Sequence, residues 1–220
     1  GSEMCIRDSP KIMERVKNVR EFRLSCPSPD TNHYADKPTF PVRLRYYSED
    51  RINPALALPK VSSQNRRYIP MEVIDADVIA GSKLFLIPDI SLYLFGVLTS
   101  NVHMAWMRTV CGRLKSDYSY ASNVVYNTFP WPEPTDQQRK KIEQTAQAIL
   151  DARALYPDSS LADLYDELTM PPELRKAHHQ NDMAVMQAYG FTKGSEAYKS
   201  EAACVAELMQ RYQKLCEEQK

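Results

Sequence analysis

The chain has 220 residues, 43% of them hydrophobic and 25% charged, with 28 basic and 28 acidic side chains that cancel to zero net charge. That composition predicts a soluble protein with one or two modest cores, which its β-rich and then helical segments make α+β; the absence of any apolar run near the ~20 residues of a membrane span, or of a signal peptide, predicts a cytoplasmic one. Five cysteines, odd in number and without a Cys-x-x-Cys pair, argue against a disulfide framework or a zinc site.

In chain order, Gly1-Ser2 reads as a vector-derived scar, and residues 1–25 as a tail followed by a connector helix. Ile12, Val16, Val19, Phe22 and Leu24 recur at near-helical spacing, which predicts an amphipathic packing helix over 11–24. Ser25 to Asn32 reads as a loop by its turn residues. Between Thr39 and Ile90, β-rich runs at Val42–Tyr47, Ala55–Val61, Arg67–Ile74 and Lys83–Ile87 are punctuated by prolines and Gly81. They predict a small, irregular, mostly antiparallel sheet with packed helices. Leu92–Leu98 and Val102–Leu114 are too apolar and too long for strands, and predict two helices.

The character changes at Pro134. Thr135 is a good N-cap for a helix from Asp136 to about Leu155, with Ile142, Ala146, Ile149 and Ala152 on one stripe. Further helices are expected at Leu161–Leu168, from Pro172 to about Tyr189 before Gly190, and, capped by Ser195, from Glu196 to about Glu218. Residues 26–134 and 135–220 thus read as two regions, the second an all-α helical subdomain, with Phe129-Pro-Trp-Pro132 a stiff junction whose Trp131 can anchor in a groove. Charge divides the same way. Residues 1–134 hold 17 basic and 14 acidic side chains, a balance of +3, which leaves −3 for the remainder. So mild an asymmetry would leave affinity for any polyanionic partner to local clusters such as Arg43, Arg45, Arg66 and Arg67, or to another part of a larger protein.

No catalytic constellation is legible. There is no Gly-x-Gly and no Gly-x-Ser-x-Gly; Met170-Pro-Pro-Glu173 lacks the leading amide and trailing aromatic of a base-holding tetrapeptide; His178-His179 has no metal-ligand partner at a suitable spacing. The chain is expected to carry out no covalent chemistry by itself and to hold neither a metal nor a cofactor.

The segment Cys111 to Tyr120 carries the chemistry of recognition. Lys115 can donate to O6 and N7 of guanine and Asp117 can accept from N4 of cytosine. In extended geometry both would project to one face about 7 Å apart, able to read one G·C pair. The same pair also reads as an exposed ion pair. Tyr118, Tyr120 and Tyr126 could stack on sugars or bases, or belong to the core.

Arg108 to Tyr120 with Tyr126 to Pro132 resembles the end of the target-recognition domain of the MmeI-like family of DNA methyltransferases and fused restriction-modification enzymes. The resemblance extends in one order through Lys17–Arg23, Pro59–Pro70, Tyr93–Ser100 with His103–Trp106, Leu161–Tyr165 and Leu168–Leu174, and covers about residues 11 to 192. It implies base reading by Lys60, Ser82, Lys83, Lys115, Ser116 and Asp117, double-stranded DNA as partner, and S-adenosylmethionine as the cofactor of a parent adenine-N6 methyltransferase whose catalytic domain lies upstream. Ser62, Ser63, Arg66, Arg67, Arg113 and Ser119 suit phosphate contacts, while solvation alone also accounts for Lys60 and Lys83. A stand-alone specificity subunit serving a separate methyltransferase, and a helical interaction module without a nucleic-acid role, remain alternatives.

Overall fold

In a computed structural model, residues 9–36, 53–78 and 80–218 are described. The expected strand Val42–Tyr47, with Arg43 and Arg45, lies outside them. The chain divides into two compact units, Gly1–Arg51 and Ile52–Lys220.

In the first unit α1 spans Pro10–Leu24, with proline in the first turn where its missing N–H costs no helical bond. The stripe expected to pack is largely exposed instead: Ile12, Val19, Phe22 and Leu24 are exposed, Phe22 by 70%, Val16 is half-buried, and no residue of α1 is buried. The expected loop is shorter than Ser25–Asn32. Ser25 donates its hydroxyl to the Phe22 carbonyl at 2.7 Å, and the chain then re-enters helix as α2, Pro29–Asp36, again opened by a proline. Arg20 Nε donates to the Ala35 carbonyl at 3.1 Å, joining the two helices.

The second unit begins with two three-stranded antiparallel sheets. In the first, β1 (Ala55–Pro59) lies between β3 (Glu72–Ile74) and β4 (Leu84–Pro88). Ala55 to Leu58 are all buried, as an apolar central strand covered on both faces must be. In the second, β6 (Asp117–Ser119) lies between β2 (Val61–Ser62) and β5 (Gly112–Leu114). Ala55–Val61 is therefore not one strand. It changes sheets at Lys60, whose N–H donates to the Lys83 carbonyl at 2.9 Å while its carbonyl accepts from Tyr120 N at 2.8 Å. Arg67–Ile74 is a strand only from Glu72, because Pro70 has no N–H for a ladder, and Tyr68, Ile69 and Met71 are buried in irregular backbone.

Between the sheets in sequence, α3 (Leu92–Leu98) and α4 (Asn101–Val110) are capped by Ser91 and Ser100, whose hydroxyls accept from Leu94 N and His103 N. The expected extension of α4 to Leu114 is replaced by an extended Cys111 and strand β5, because Gly112, a weak helix former, and its neighbours pair with β6. A short α5 (Ser122–Val125) precedes the proline-rich junction. There Phe129 is buried edge-on to His103 and Trp131 is edge-on to both Tyr126 and Phe129, with ring centroids 5.4 and 5.1 Å away.

Helix α6 (Asp136–Ala154) carries the expected cap at Thr135, completed to a capping box by Gln138. Helix α7 is confined to Leu161–Leu164; Tyr165 turns into the core, and Leu168 is left 95% exposed. Helix α8 (Pro172–Ala188) closes before Gly190, which sits at φ +77°, a backbone conformation that suits glycine. The last expected helix is broken in two, α9 (Glu196–Lys199) and α10 (Glu201–Glu218), because Ser200 turns extended and its hydroxyl caps Ala203 N.

Helices on both sides of Pro134 share one core. Gly96 of α3 is the point of closest approach: a Cβ there would fall 2.7 Å from Ile142 Cγ2 of α6. Asn181 of α8 donates to the Gly96 carbonyl at 2.7 Å and accepts from Thr145 Oγ1 at 3.0 Å, so one buried amide joins three helices.

Candidate nucleic-acid interface

Strand alternation sorts the recognition segment into two faces. On β6, Tyr118 points inward and is 7% exposed, while Asp117 and Ser119 point outward and are half-buried. Register carries this across the sheet. Leu114 pairs with Asp117, and Gly112 and Val61 pair with Ser119, on the outer face; Arg113 and Ser62 pair with Tyr118 on the other. Ser62 is consequently only 3% exposed, and its hydroxyl lacks a partner among the described residues. The expected phosphate contact from Ser62 is thus corrected: alternation turns it inward. Tyr120, at 3% exposed, bonds through its hydroxyl to His103 Nε2 at 3.1 Å and is a core residue, as is Tyr118.

Lys115 and Asp117 do not share the extended geometry expected of them. Lys115 and Ser116 form the two-residue loop of the β5–β6 hairpin, and Lys115 sits at φ +57°, in the left-handed region. The loop is exposed, so the lysine stands at the hairpin tip while Asp117 begins the returning strand. Asp117 Oδ1 accepts from Gln64 N at 3.4 Å, tying the tip to the loop after β2. Arg113 is exposed, lies 4.1 Å over the Tyr118 ring and donates to the Ser116 carbonyl at 3.1 Å.

A second polar group gathers at the seam between the sheets. Lys60 Nζ donates to the Ser82 carbonyl at 2.8 Å and lies 4.8 Å over the Phe85 ring. Ser82 and Lys83 are exposed beside it, brought there by the Lys60–Lys83 backbone bond. Lys60, Ser82 and Lys83 are thus one cluster despite 22 residues of separation.

The loop after β2 supplies the third group. Ser63 closes it locally, its hydroxyl accepting from Asn65 N and its carbonyl from Arg66 N. Arg67 is exposed with its guanidinium 5.6 Å from the Tyr68 ring centre, and its pKa is raised by Tyr68 and, further off, by Asp182. Gln64 and Asn65, exposed amides on this loop, were not singled out by sequence; the bond from Gln64 N to Asp117 spans 53 residues and left no local signal.

Behind these groups lies a buried polar network. Asp182, 2% exposed, accepts from Tyr68 OH at 2.6 Å and from Asn101 N at 2.8 Å; burial nevertheless pushes its carboxyl up to about 6. Arg153 donates to the Met71 carbonyl at 2.8 Å and to Tyr165 OH, which also bonds His178 Nε2 at 2.7 Å. Burial drives His178 well below the ordinary histidine pKa and His103 down to about 3, so both are neutral. His178 therefore belongs to the core. Among the described residues no three His, Cys, Asp or Glu side chains gather as metal ligands, and no helix is long and apolar enough to cross a membrane.

The chain thus sets a strand-borne polar face on a helical domain, and comparison with known proteins identifies it as a target-recognition module. The family model of the MmeI target recognition domain matches residues 2–133, and that of the MmeI C-terminal domain matches residues 134–219. The chain belongs to the MmeI family. It is 36% identical over 212 residues to DNA methyltransferase A of Bacillus subtilis (strain 168), covering 96% of this chain and 23% of that protein. It also matches the solved structure of the Type IIL restriction-modification enzyme MmeI in complex with DNA, with a TM-score of 0.82 and 42% identity over 96% of this chain and 27% of the other. The chain spans about a quarter of the length of these relatives.

Proposed function

We propose that this chain is the DNA sequence-recognition part of an S-adenosylmethionine-dependent DNA adenine-N6 methyltransferase or fused restriction-modification enzyme, and that it chooses the site on which a catalytic domain outside these residues acts. The observation that carries this reading is the convergence of three polar groups, Lys60 with Ser82 and Lys83, the Arg113–Asp117 hairpin and the Ser63–Arg67 loop, around one small sheet. From Tyr120, bonded to Lys60, to Asp117 the strand covers about 10 Å, roughly three base-pair steps of a duplex. Lys60, Ser82, Lys83, Lys115, Ser116 and Asp117 would read base edges; Ser63, Arg66, Arg67, Arg113 and Ser119 would hold phosphates.

The described glycines do not fit a S-adenosylmethionine loop. Gly96 is packed inside α3, Gly112 is in β5, Gly190 ends α8, and Gly81 and Gly194 are isolated, so none opens a helix directly after a strand. Methyl transfer is accordingly assigned to another part of the polypeptide.

Fluorescence anisotropy of this chain against duplexes varied one base pair at a time, across a salt series, tests the reading. Wild type should bind with steep salt dependence. Lys115→Ala/Asp117→Ala should lose about 1 to 3 kcal/mol of discrimination at one base pair only. An equal loss on every sequence would make the pair a phosphate contact, and no binding by wild type would sink the proposal for this chain.

A further inference from the structure

The loop of residues 63–67 is held at both ends by partners distant in sequence. At its start, Gln64 N donates to Asp117 of the hairpin. At its end, the Arg67 carbonyl accepts from Arg108 Nη1 at 3.1 Å. The same guanidinium turns its other edge to Glu201, donating from Nε to Oε1 at 2.8 Å and from Nη2 to Oε2 at 2.9 Å. Glu201 is the first residue of α10 and lies in the segment matched to the C-terminal domain, whereas Arg67 and Arg108 lie in the target recognition domain. The Arg108 side chain is 20% exposed, so the pair is partly withdrawn from water. A cleft of about 570 Å³ lies beside it, walled by Arg66, Arg67, Arg108, Tyr118 and Glu201 among others. Only a planar fork can serve a carboxylate on one edge and a carbonyl from the remaining nitrogen in this way.

We propose that Arg108 is a positioning residue through which the C-terminal domain sets the 63–67 loop for DNA, so that α10 contributes to recognition without itself touching the duplex. The inference rests on the recognition reading above and extends it. The loop so held presents Arg66 and Arg67 to phosphates, and the exposed Gln64 and Asn65 amides to base edges, where their paired donor and acceptor match N7 and N6 of adenine. Neither Arg108 nor Glu201 needs to reach DNA for this to work.

The test measures backbone hydrogen exchange of residues 63–67 and duplex affinity in the same chain, for wild type, Arg108→Lys, Arg108→Glu and the exchanged pair Arg108→Glu/Glu201→Arg. The exchanged pair can restore the ion pair, but a glutamate at position 108 has no donor for the Arg67 carbonyl. It should therefore recover the thermal midpoint lost in Arg108→Glu, while loop exchange stays about fivefold to tenfold faster than wild type and the salt slope of DNA binding remains shallower. Arg108→Lys, which cannot serve both partners with fork geometry, should fall between. Loop exchange unchanged in every variant, or fully restored in the exchanged pair, would overturn the positioning role. Wild-type chain that binds no duplex would overturn the recognition reading and the DNA part of this inference, while loop exchange would still report whether Arg108 holds the loop.

Discussion

Arg153 and Arg113 are the same side chain put to opposite uses, and they stand for the two polar regions of the molecule. Arg153 is 8% exposed, and its donors are spent on Met71 and Tyr165. Arg113 is exposed on an edge strand and, among the described residues, is held by a ring face and one carbonyl of its own hairpin. Buried polar groups with every bond made inside the protein specify the fold, because leaving one unpaired is costly. Solvated groups on a rigid hairpin contribute little to stability, which leaves them available to a partner.

The contrast breaks first at Arg153. Arg153→Met should lower stability by about 2 to 4 kcal/mol, since the Met71 carbonyl and the Tyr165 hydroxyl lose their donor in the core. Arg113→Met should lower it by less than about 1 kcal/mol. Urea midpoints of the two variants measure the difference, and equal losses would erase the distinction.

Acid should sharpen it next. His103 and His178 are held neutral in the folded chain, whereas unfolded histidines take up protons below 6.5. Unfolding is then coupled to proton uptake, and stability present above pH 6.5 is lost as pH falls, by about 2 kcal/mol at pH 5 for His103, with His178 acting in the same direction. Asp182 opposes them. With its folded carboxyl at about 6 against an ordinary 3.8, it binds a proton first in the folded state, so its burial penalty at neutral pH is relieved as pH drops through 6. Two protons outweigh one, and thermal midpoints should fall between pH 6.5 and 4; Asp182→Asn should steepen that fall. A midpoint rising toward acid would contradict both histidine assignments.

A packing change of intermediate size probes the join between domains. Gly96→Ala should cost about 1 to 3 kcal/mol, because the added methyl meets Ile142 Cγ2 at 2.7 Å and Ala146 Cβ at 3.1 Å, so that α6 side chains or the helices themselves must shift. A calorimetric shift in one cooperative transition would show the helices on both sides of Pro134 unfolding together; two transitions would separate them.

The smallest expected effect is a gain. Lys115→Gly should stabilise the chain by about 0.5 to 1 kcal/mol, because φ +57° costs an L side chain and glycine nothing. If Lys115 reads a base, the same substitution weakens DNA discrimination. Stability and recognition moving in opposite directions at one residue is the sharpest form of the comparison, and both moving down would mean that the lysine is structural.

Sequence by itself determined the helical end of the molecule and the character of the rest. Thr135, the stripe Ile142-Ala146-Ile149-Ala152, Pro172 and Gly190 are local signals, because capping and amphipathic periodicity act over one or two turns, and α6 and α8 lie where those signals put them. The short strands were legible only in part, since a residue's fate there depends on its partner strand. Pairing with β6 drew Gly112–Leu114 out of the expected helix, and the seam between sheets broke Ala55–Val61 at Lys60. The families of chemistry at the candidate recognition face could be listed from residue types, but which side chains face together could not. That Lys60 meets Ser82, that Ser62 turns inward, that Asp117 ties Gln64 and that Arg108 joins Arg67 to Glu201 were decided by tertiary structure alone, because bonds spanning 22 to 93 residues leave no trace in local periodicity.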